Sequence, residues 1–402
     1  MVSTETPPAQ TAGLFSSLAM QPADPLLQLI GAYRDDPRPA KIDLGVGVYR
    51  TEAGETPVFA AVKQAEAALI AEQHTKAYLG PAGDEEYFAR LAPIALGAGF
   101  DRGRLAGYQT PGGTGALRQA AELIALARPQ ARVLIGTPTW ANHLPIFAAA
   151  GVETLSYDYF DVASQTINFA AMIAAFEAAR PGDVLLLHGC CHNPLGADPS
   201  ADQWAEIARV VAARGLVPLI DLAYQGLGDG LEEDAAGART VLAAAGEALV
   251  AYSCDKNFGL YRDRVGALFA IARDGPSAAI VHSNLLQLAR ANWSMPPDHG
   301  AAVVRLILAS PQLTEAWRAE LDEVRARIRA MRAAAAPLHP ALAALPGQKG
   351  MFSTLPLSRD QVARMRAEHG VYMVASGRIN IAGLTPANLP AFAAALAEVA
   401  GG

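Results

Sequence analysis

Side chains of catalytic type crowd four short stretches of this chain, each at the end of an apolar run. Thr139, Trp140, Asn142 and His143 follow RVLIGTP at 132–138. Residues from His188 to Asn193 end and follow VLLLHGC at 184–190. Asp221 and Tyr224 lie in and after VPLIDLA at 217–223, and Ser253, Asp255 and Lys256 close LVAYSC at 249–254. Each run reads as a buried strand, as does VGALFAI at 265–271. Ligands of a parallel α/β sheet gather at the carboxyl ends of its strands. Four consecutive ends loaded in this way point to an active site.

Lys256 is one of five lysines, with Lys41, Lys63, Lys76 and Lys349 in surface-type contexts. Taken alone it reads as a lysine snorkelling at a strand end. In a desolvated cleft it would instead be a nucleophile able to form a Schiff base. Gly112, Gly113, Thr114 and Gly115 precede an apolar helix at 116–127, a place where free N–H groups and close backbone approach suit a phosphate. The run lacks a Walker lysine and a dinucleotide fingerprint, so a phosphorylated cofactor fits better. HGCCH at 188–192 crowds metal-type side chains into five positions. Adjacent residues at a strand end point to opposite faces, so no metal site is expected. Arg290 and Arg378 are of the type that clamps a carboxylate with two bonds, although the default for a lone arginine is a structural ion pair.

The elements between the strands are amphipathic helices. One covers 202–214, with Trp204, Ile207, Ala208 and Val211 on one face and Gly215 as its stop. Strands alternating with helices imply a largely parallel sheet covered on both faces. A long helix at 315–335 carries Trp317, Leu321, Val324, Ile328 and Met331 at spacings of three and four, and is long enough to bridge two domains.

The 402 residues are 51% hydrophobic and 18% charged, with a net charge of -7. That describes a packed globular protein and disfavours a nucleic-acid partner. Neither a secretory signal nor a membrane span is expected, because the first residues lack a basic and apolar pattern and no apolar run is long enough to span. Three cysteines, two of them adjacent, are too few for a disulfide framework. A reduced, cytoplasmic setting is expected.

Together these segments resemble the class I aminotransferases, in the aspartate and aromatic amino acid aminotransferase branch. The resemblance runs from about Asp24 to the C-terminal helix. It is carried by IDLGVGVY at 42–49, YLG at 78–80, TPGGTGA at 110–116, PTWANH at 138–143, HGCCHNPLG at 188–196, DLAYQG at 221–226, SCDKNFGLYRDRVG at 253–266, RANWSMPP at 290–297 and VASGRINIAG at 374–383. It implies the type I fold of pyridoxal-phosphate-dependent transferases: a large α/β domain with a mostly parallel seven-stranded sheet, plus a smaller α/β domain. The expected division is an arm at 1–23, small domain at 24–56, large domain at 57–314, and interdomain helix with the rest of the small domain at 315–402.

The resemblance also implies roles. Lys256 would hold pyridoxal 5'-phosphate as a Schiff base and move the substrate's Cα proton. Asp221 would pair with the pyridine nitrogen, supported by His143. Tyr224 and Asn193 would bond the ring oxygen, and Trp140 would stack on the ring. Gly113, Thr114, Ser253 and Arg264 would hold the phosphate, with Tyr78 reaching it from a neighbouring subunit. Arg378 would bind the α-carboxylate, Gly47 would allow close backbone approach, and Arg290 of a neighbouring subunit would bind a distal carboxylate. A homodimer follows. The implied activity is ping-pong transamination of aspartate or aromatic amino acids with 2-oxoglutarate; broad aromatic specificity, or a lyase or decarboxylase on the same fold, is the alternative.

The chain departs from the family pattern in places. Asp255 stands where a serine is usual, adding a charge that either raises the Lys256 pKa or faces away. Leu195 replaces a threonine and Leu222 a phenylalanine. Val48, Arg50, Thr56 and Thr114 look like the aspartate type, whereas Ala77 and Met295 match neither, and Met295 would widen the pocket.

Overall fold

The computed structural model describes residues 13–400; part of the expected arm, residues 1–12, lies outside the described residues. Seven strands form the central sheet. We number them β1 (Leu105–Pro111), β2 (Arg132–Thr137), β3 (Glu153–Asp158), β4 (Val184–His188), β5 (Val217–Leu222), β6 (Ala248–Ser253) and β7 (Val265–Ile271). Their spatial order is β1-β7-β6-β5-β4-β2-β3. The strands from β6 across to β3 pair in parallel, while β7 pairs antiparallel with both β6 and β1. Every residue of β6 is buried, as expected of a strand covered on both faces.

The reversed β7 matters for the site. It brings its start, not its end, to the edge where its neighbours finish. Gly266 pairs with Ser253 and Val265 with Pro111. Arg264 therefore stands beside the end of β6.

Two helices show how the sequence sets its own boundaries. Ala201–Arg214 starts at a reciprocal cap between Ser200 and Gln203 and stops at Gly215, whose φ of 62° suits glycine. Its residues Trp204, Ile207, Ala208 and Val211 are buried, as expected. The long helix is Pro311–Ala335, four residues longer than expected from apolar spacing. Ser310 caps it by accepting from the Leu313 N–H, and Pro311 suits the first helical position. The glycines at 112–115 are not a loop before a helix: the helix is Gly112–Ala127, and they form its first turn.

Two small ladders join distant parts of the chain. Ile42–Asp43 pairs in parallel with Val371–Tyr372, and Phe352–Thr354 pairs antiparallel with Arg378–Asn380. No helix among the described residues is long and apolar enough to cross a membrane.

Candidate active site

A cavity of about 310 Å³ opens where β2, β4, β5 and β6 end, and Gly47, Phe352 and Arg378 close its other side. That size suits a small ligand. Gly113, Thr114, Trp140, Asn193, Asp221, Tyr224, Ser253, Lys256 and Arg264 also line it. The site expected from strand ends is thus one continuous surface.

Lys256 lies in the turn three residues past the end of β6 and is partly buried, with its Nζ 5.3 Å from the centroid of the Tyr224 ring. Burial lowers the pKa of its amine, and the negative charges of Asp255 and Asp221 oppose that shift. Burial favours the neutral, nucleophilic form. Asp221, at the end of β5, is buried, which alone would raise its carboxyl pKa. The hydrogen bond and charge of His143 outweigh burial and hold the carboxyl below its ordinary value. The site therefore contains a carboxylate held below its ordinary pKa and an amine that loses its proton more readily than an exposed lysine.

A buried chain of bonds stands behind Asp221. His143 Nε2 lies 3.1 Å from Asp221 Oδ2, and His143 Nδ1 lies 2.7 Å from Thr139 Oγ1. Thr139 Oγ1 is also 3.1 Å from His188 Nε2. An ionised Asp221 accepts from Nε2–H of His143. A neutral His143 accepts at Nδ1 from Thr139, whose oxygen then accepts from His188; a charged His143 donates at Nδ1 to Thr139, whose hydroxyl then donates to His188. Burial lowers the His188 pKa to about 3, aided by the charge of His143, so this ring stays neutral. Trp140 meets His143 edge-on, with centroids 5.2 Å apart, which fixes the indole at the cavity wall.

The start of the Gly112–Ala127 helix forms the opposite end of the site. A Cβ on Gly112 would lie 2.6 Å from Arg264 Nη2, and one on Gly113 would lie 3.0 Å from Ser253 Cβ. Glycine at both positions lets helix N–H groups, two hydroxyls and a guanidinium crowd together. That set fits a phosphate.

Arg378 is anchored by one bond, from Nη2 to the Gly45 carbonyl at 2.7 Å, and lies over the Phe352 ring at 4.6 Å. Its buried Nε has no protein partner. A free donor on a cavity-lining arginine suits a carboxylate ligand. Asn193 donates weakly to the Tyr224 hydroxyl at 3.4 Å, while its buried Oδ1 is unpartnered. Asn380 donates to the carbonyls of Val46 and Val48 at 2.7 and 2.8 Å, which shapes the turn carrying Gly47. A Cβ on Gly47 would sit 2.8 Å from the Phe352 ring, so close approach, not positive φ, requires glycine there. A ligand with a phosphate at one end, a ring nitrogen facing Asp221 and an amino acid reaching Arg378 fits these donors and acceptors.

Three expected site residues lie outside this cavity. His143 acts only through Asp221. Tyr78 is 92% exposed, and Arg290 is exposed in the last turn of the Gly275–Asn292 helix, bonded to Ser294 Oγ. Met295 does not line the cavity, against expectation; its Sδ accepts from the Leu79 N–H at 3.2 Å. That bond joins the segments that carry Tyr78 and Arg290. Sequence reasoning missed Tyr261, whose hydroxyl accepts from the Tyr49 N–H at 2.9 Å, and Phe352, which supports Arg378 and Gly47. Tyr261 stood in the GLYRDR run as a possible signal; Phe352 had none. The cysteines also differ from expectation. A left-handed backbone at Cys191, φ 50°, breaks strand alternation, and the Cys190, Cys191 and Asp234 ligand atoms lie within 4.8 Å of one another. Asp234 already accepts from the N–H groups of Gly226, Gly228 and Asp229.

A seven-stranded α/β sheet with a partly buried lysine and an anion at its strand ends, faced by a carboxylate clamp, defines a class of enzymes acting on amino acids. Residues 39–396 match the family model for aminotransferase class I and II, and the chain belongs to that family. It is 52% identical to a tyrosine aminotransferase of Rhizobium meliloti over 96% of this chain and 99% of that one. It is 43% identical to an aspartate aminotransferase of Escherichia coli, covering 96% and 100%. The crystal structure of an aromatic-amino-acid aminotransferase from Burkholderia pseudomallei, covalently bound to pyridoxal phosphate, superposes with a TM-score of 0.93 at 42% identity, covering 96% and 99%. The chain is an aminotransferase.

Proposed function

We propose that this enzyme uses pyridoxal phosphate on Lys256 to transfer amino groups from aromatic and dicarboxylic L-amino acids to 2-oxoglutarate by a ping-pong route. The observation that carries the reading is the meeting of Lys256, Asp221 and the unpartnered Nε of Arg378 in one cavity. Pyridoxal phosphate, when bound, supplies an electron sink that makes the Cα–H bond of an amino acid acidic. Ser253, Thr114 and Arg264 would hold its phosphate, and Asp221 would keep a proton on its ring nitrogen. Arg378 orients the α-carboxylate. The Lys256 amine, its pKa lowered by burial, takes the Cα proton as general base and returns it as general acid. Tyr224 and Asn193 offer a hydroxyl and an amide beside it.

Support for aromatic substrates comes from the apolar Val46, Val48, Leu26 and Phe352 along the cavity, and from the Rhizobium relative. Support for dicarboxylic substrates comes from Arg290 and the Escherichia coli relative. Arg290 and Tyr78 are exposed, lie on segments joined by the Leu79–Met295 bond, and are absent from their own chain's cavity. They serve a second copy, which makes the enzyme a homodimer with shared sites. Three unpaired cysteines are in keeping with a reducing cytoplasm. The expected division at residues 24–56, 57–314 and 315–402 accords with the two small ladders standing apart from the seven-stranded sheet.

The test is a visible absorption titration. The cofactor's band is expected to disappear with tyrosine or aspartate and return with 2-oxoglutarate. A purified enzyme with no such band, or a band that no amino acid alters, would contradict the reading.

A further inference from the structure

The phosphate end of the cavity contains a charge that works against a phosphate. Asp255 is 2% exposed, and its carboxylate is turned toward Arg264, not toward solvent. Its Oδ2 accepts from Arg264 Nη1, and its Oδ1 accepts from the Val265 N–H at 3.2 Å. Its own N–H donates to Ser253 Oγ at 3.3 Å. Arg264 keeps a left-handed backbone, φ 56°, and also donates to the Tyr261 carbonyl at 3.2 Å. A Cβ on Gly112 would meet Arg264 Nη2 at 2.6 Å and Asp255 Oδ2 at 3.2 Å, so both charges reach the helix start that faces the cavity. The one guanidinium of this cradle thus already has an anion. Arginine and aspartate sum to zero charge there, and the remaining attraction for a phosphate comes from hydroxyls and helix N–H groups.

We propose that Asp255 sets how tightly the phosphorylated cofactor is retained, by sharing Arg264 with the cofactor's phosphate. The proposal rests on the function proposed above. A like charge beside a bound dianion weakens binding unless something else holds the ligand. The pyridoxal form is held by its bond to Lys256. The pyridoxamine form has no such bond, so Asp255 acts chiefly on that form, favouring its exchange with free cofactor. Asp255 is a positioning and affinity-setting residue, not a catalytic one.

The holoenzyme is converted to its pyridoxamine form with excess amino acid, and release of pyridoxamine phosphate is followed after dilution. Asp255→Asn keeps the acceptor for Val265 N–H and removes the charge; Asp255→Ser removes both. Both are expected to release the ligand about tenfold more slowly or better, the effect of one unopposed charge at a partly screened site. Equal or faster release in both would overturn the proposal. Phosphorus NMR of the unsubstituted pyridoxamine form gives a second reading, independent of how the variants fold. Its bound phosphate is expected to titrate within about pH 5 to 9, because the adjacent carboxylate penalises the second negative charge. A signal fixed as the dianion across that range would overturn the proposal. Should no amino acid yield a pyridoxamine form, the proposed function fails. Should it form and leave all three proteins at one rate, only this inference fails.

Discussion

The ring of Phe258 lies flat on the indole of Trp317, with centroids 4.2 Å apart and planes 4° from parallel. Trp317 Nε1 also donates to the Asn257 carbonyl at 2.7 Å. The two residues after Lys256 are thereby fixed to the long Pro311–Ala335 helix, and a fully buried side chain from outside the sheet holds the lysine's loop in place.

Trp317→Ala should therefore cost about 3–5 kcal/mol by leaving a cavity. Trp317→Phe keeps the stack and orphans one carbonyl, at about 1–2 kcal/mol. Urea denaturation measures both. Equal losses would show that the stack contributes little beyond the hydrogen bond.

Asp221 keeps its charge because the His143 bond overcomes burial. Its depressed pKa means the carboxylate is present above that pKa and lost as pH falls through it. In His143→Ala burial is opposed only by the weaker effects of His188 and Lys256, so the pKa rises and the charge is lost at higher pH. The acid limb of the kcat/KM profile should move upward, with about a tenfold or larger loss at neutral pH, the worth of a hydrogen bond to a charged group. An unmoved acid limb would separate His143 from Asp221.

Lys256 should be unusually reactive without cofactor. Its neutral amine grows in as pH rises through its pKa, and burial lowers that pKa below the ordinary 10.5. The rate of adduct formation with an aldehyde, trapped by borohydride and mapped to Lys256, should rise with a midpoint below that value. Asp255→Asn should lower the midpoint further, since Asp255 raises it. An ordinary midpoint would contradict a desolvated amine.

The two arginines should behave differently. Arg378→Ala should lower kcat/KM about a hundredfold or more for every amino acid, because all share the α-carboxylate. Arg290→Ala should cost aspartate more than phenylalanine. Mixing Arg290→Ala with Lys256→Ala subunits should restore aspartate turnover, since one hybrid site combines an intact lysine with an arginine from the other chain. Hybrids no better than the Arg290→Ala homodimer would place Arg290 outside the neighbouring site.

Much of the site was legible because strand ends are local. The apolar runs that carry or precede Trp140, Asn193, Asp221 and Lys256 fix where those side chains emerge, and the five strands expected from those runs formed within two residues of the sequence expectation, whereas Leu105–Pro111 and Glu153–Asp158 were not placed in advance. The antiparallel sense of β7 was not legible, because a short apolar run carries no direction. Arg264 could be named from its motif, but its place beside Ser253 depends on that reversal. Phe352 was missed because its role depends on pairing with Asn380, a partner 28 residues away whose register no local pattern encodes. The orientation of Asp255 was open for the same reason: a residue in the turn after a strand can face either way until Arg264 is placed.

The central claim, that this chain carries out transamination with its own bound cofactor as the amino acceptor, is tested most directly by a single turnover. Enzyme loaded with pyridoxal phosphate is mixed with excess tyrosine or aspartate and no oxo acid. One equivalent of the matching 2-oxo acid per subunit is expected, with the amino nitrogen retained on the protein until 2-oxoglutarate is added. Release of ammonia or carbon dioxide, or continued product formation without an acceptor, would contradict it.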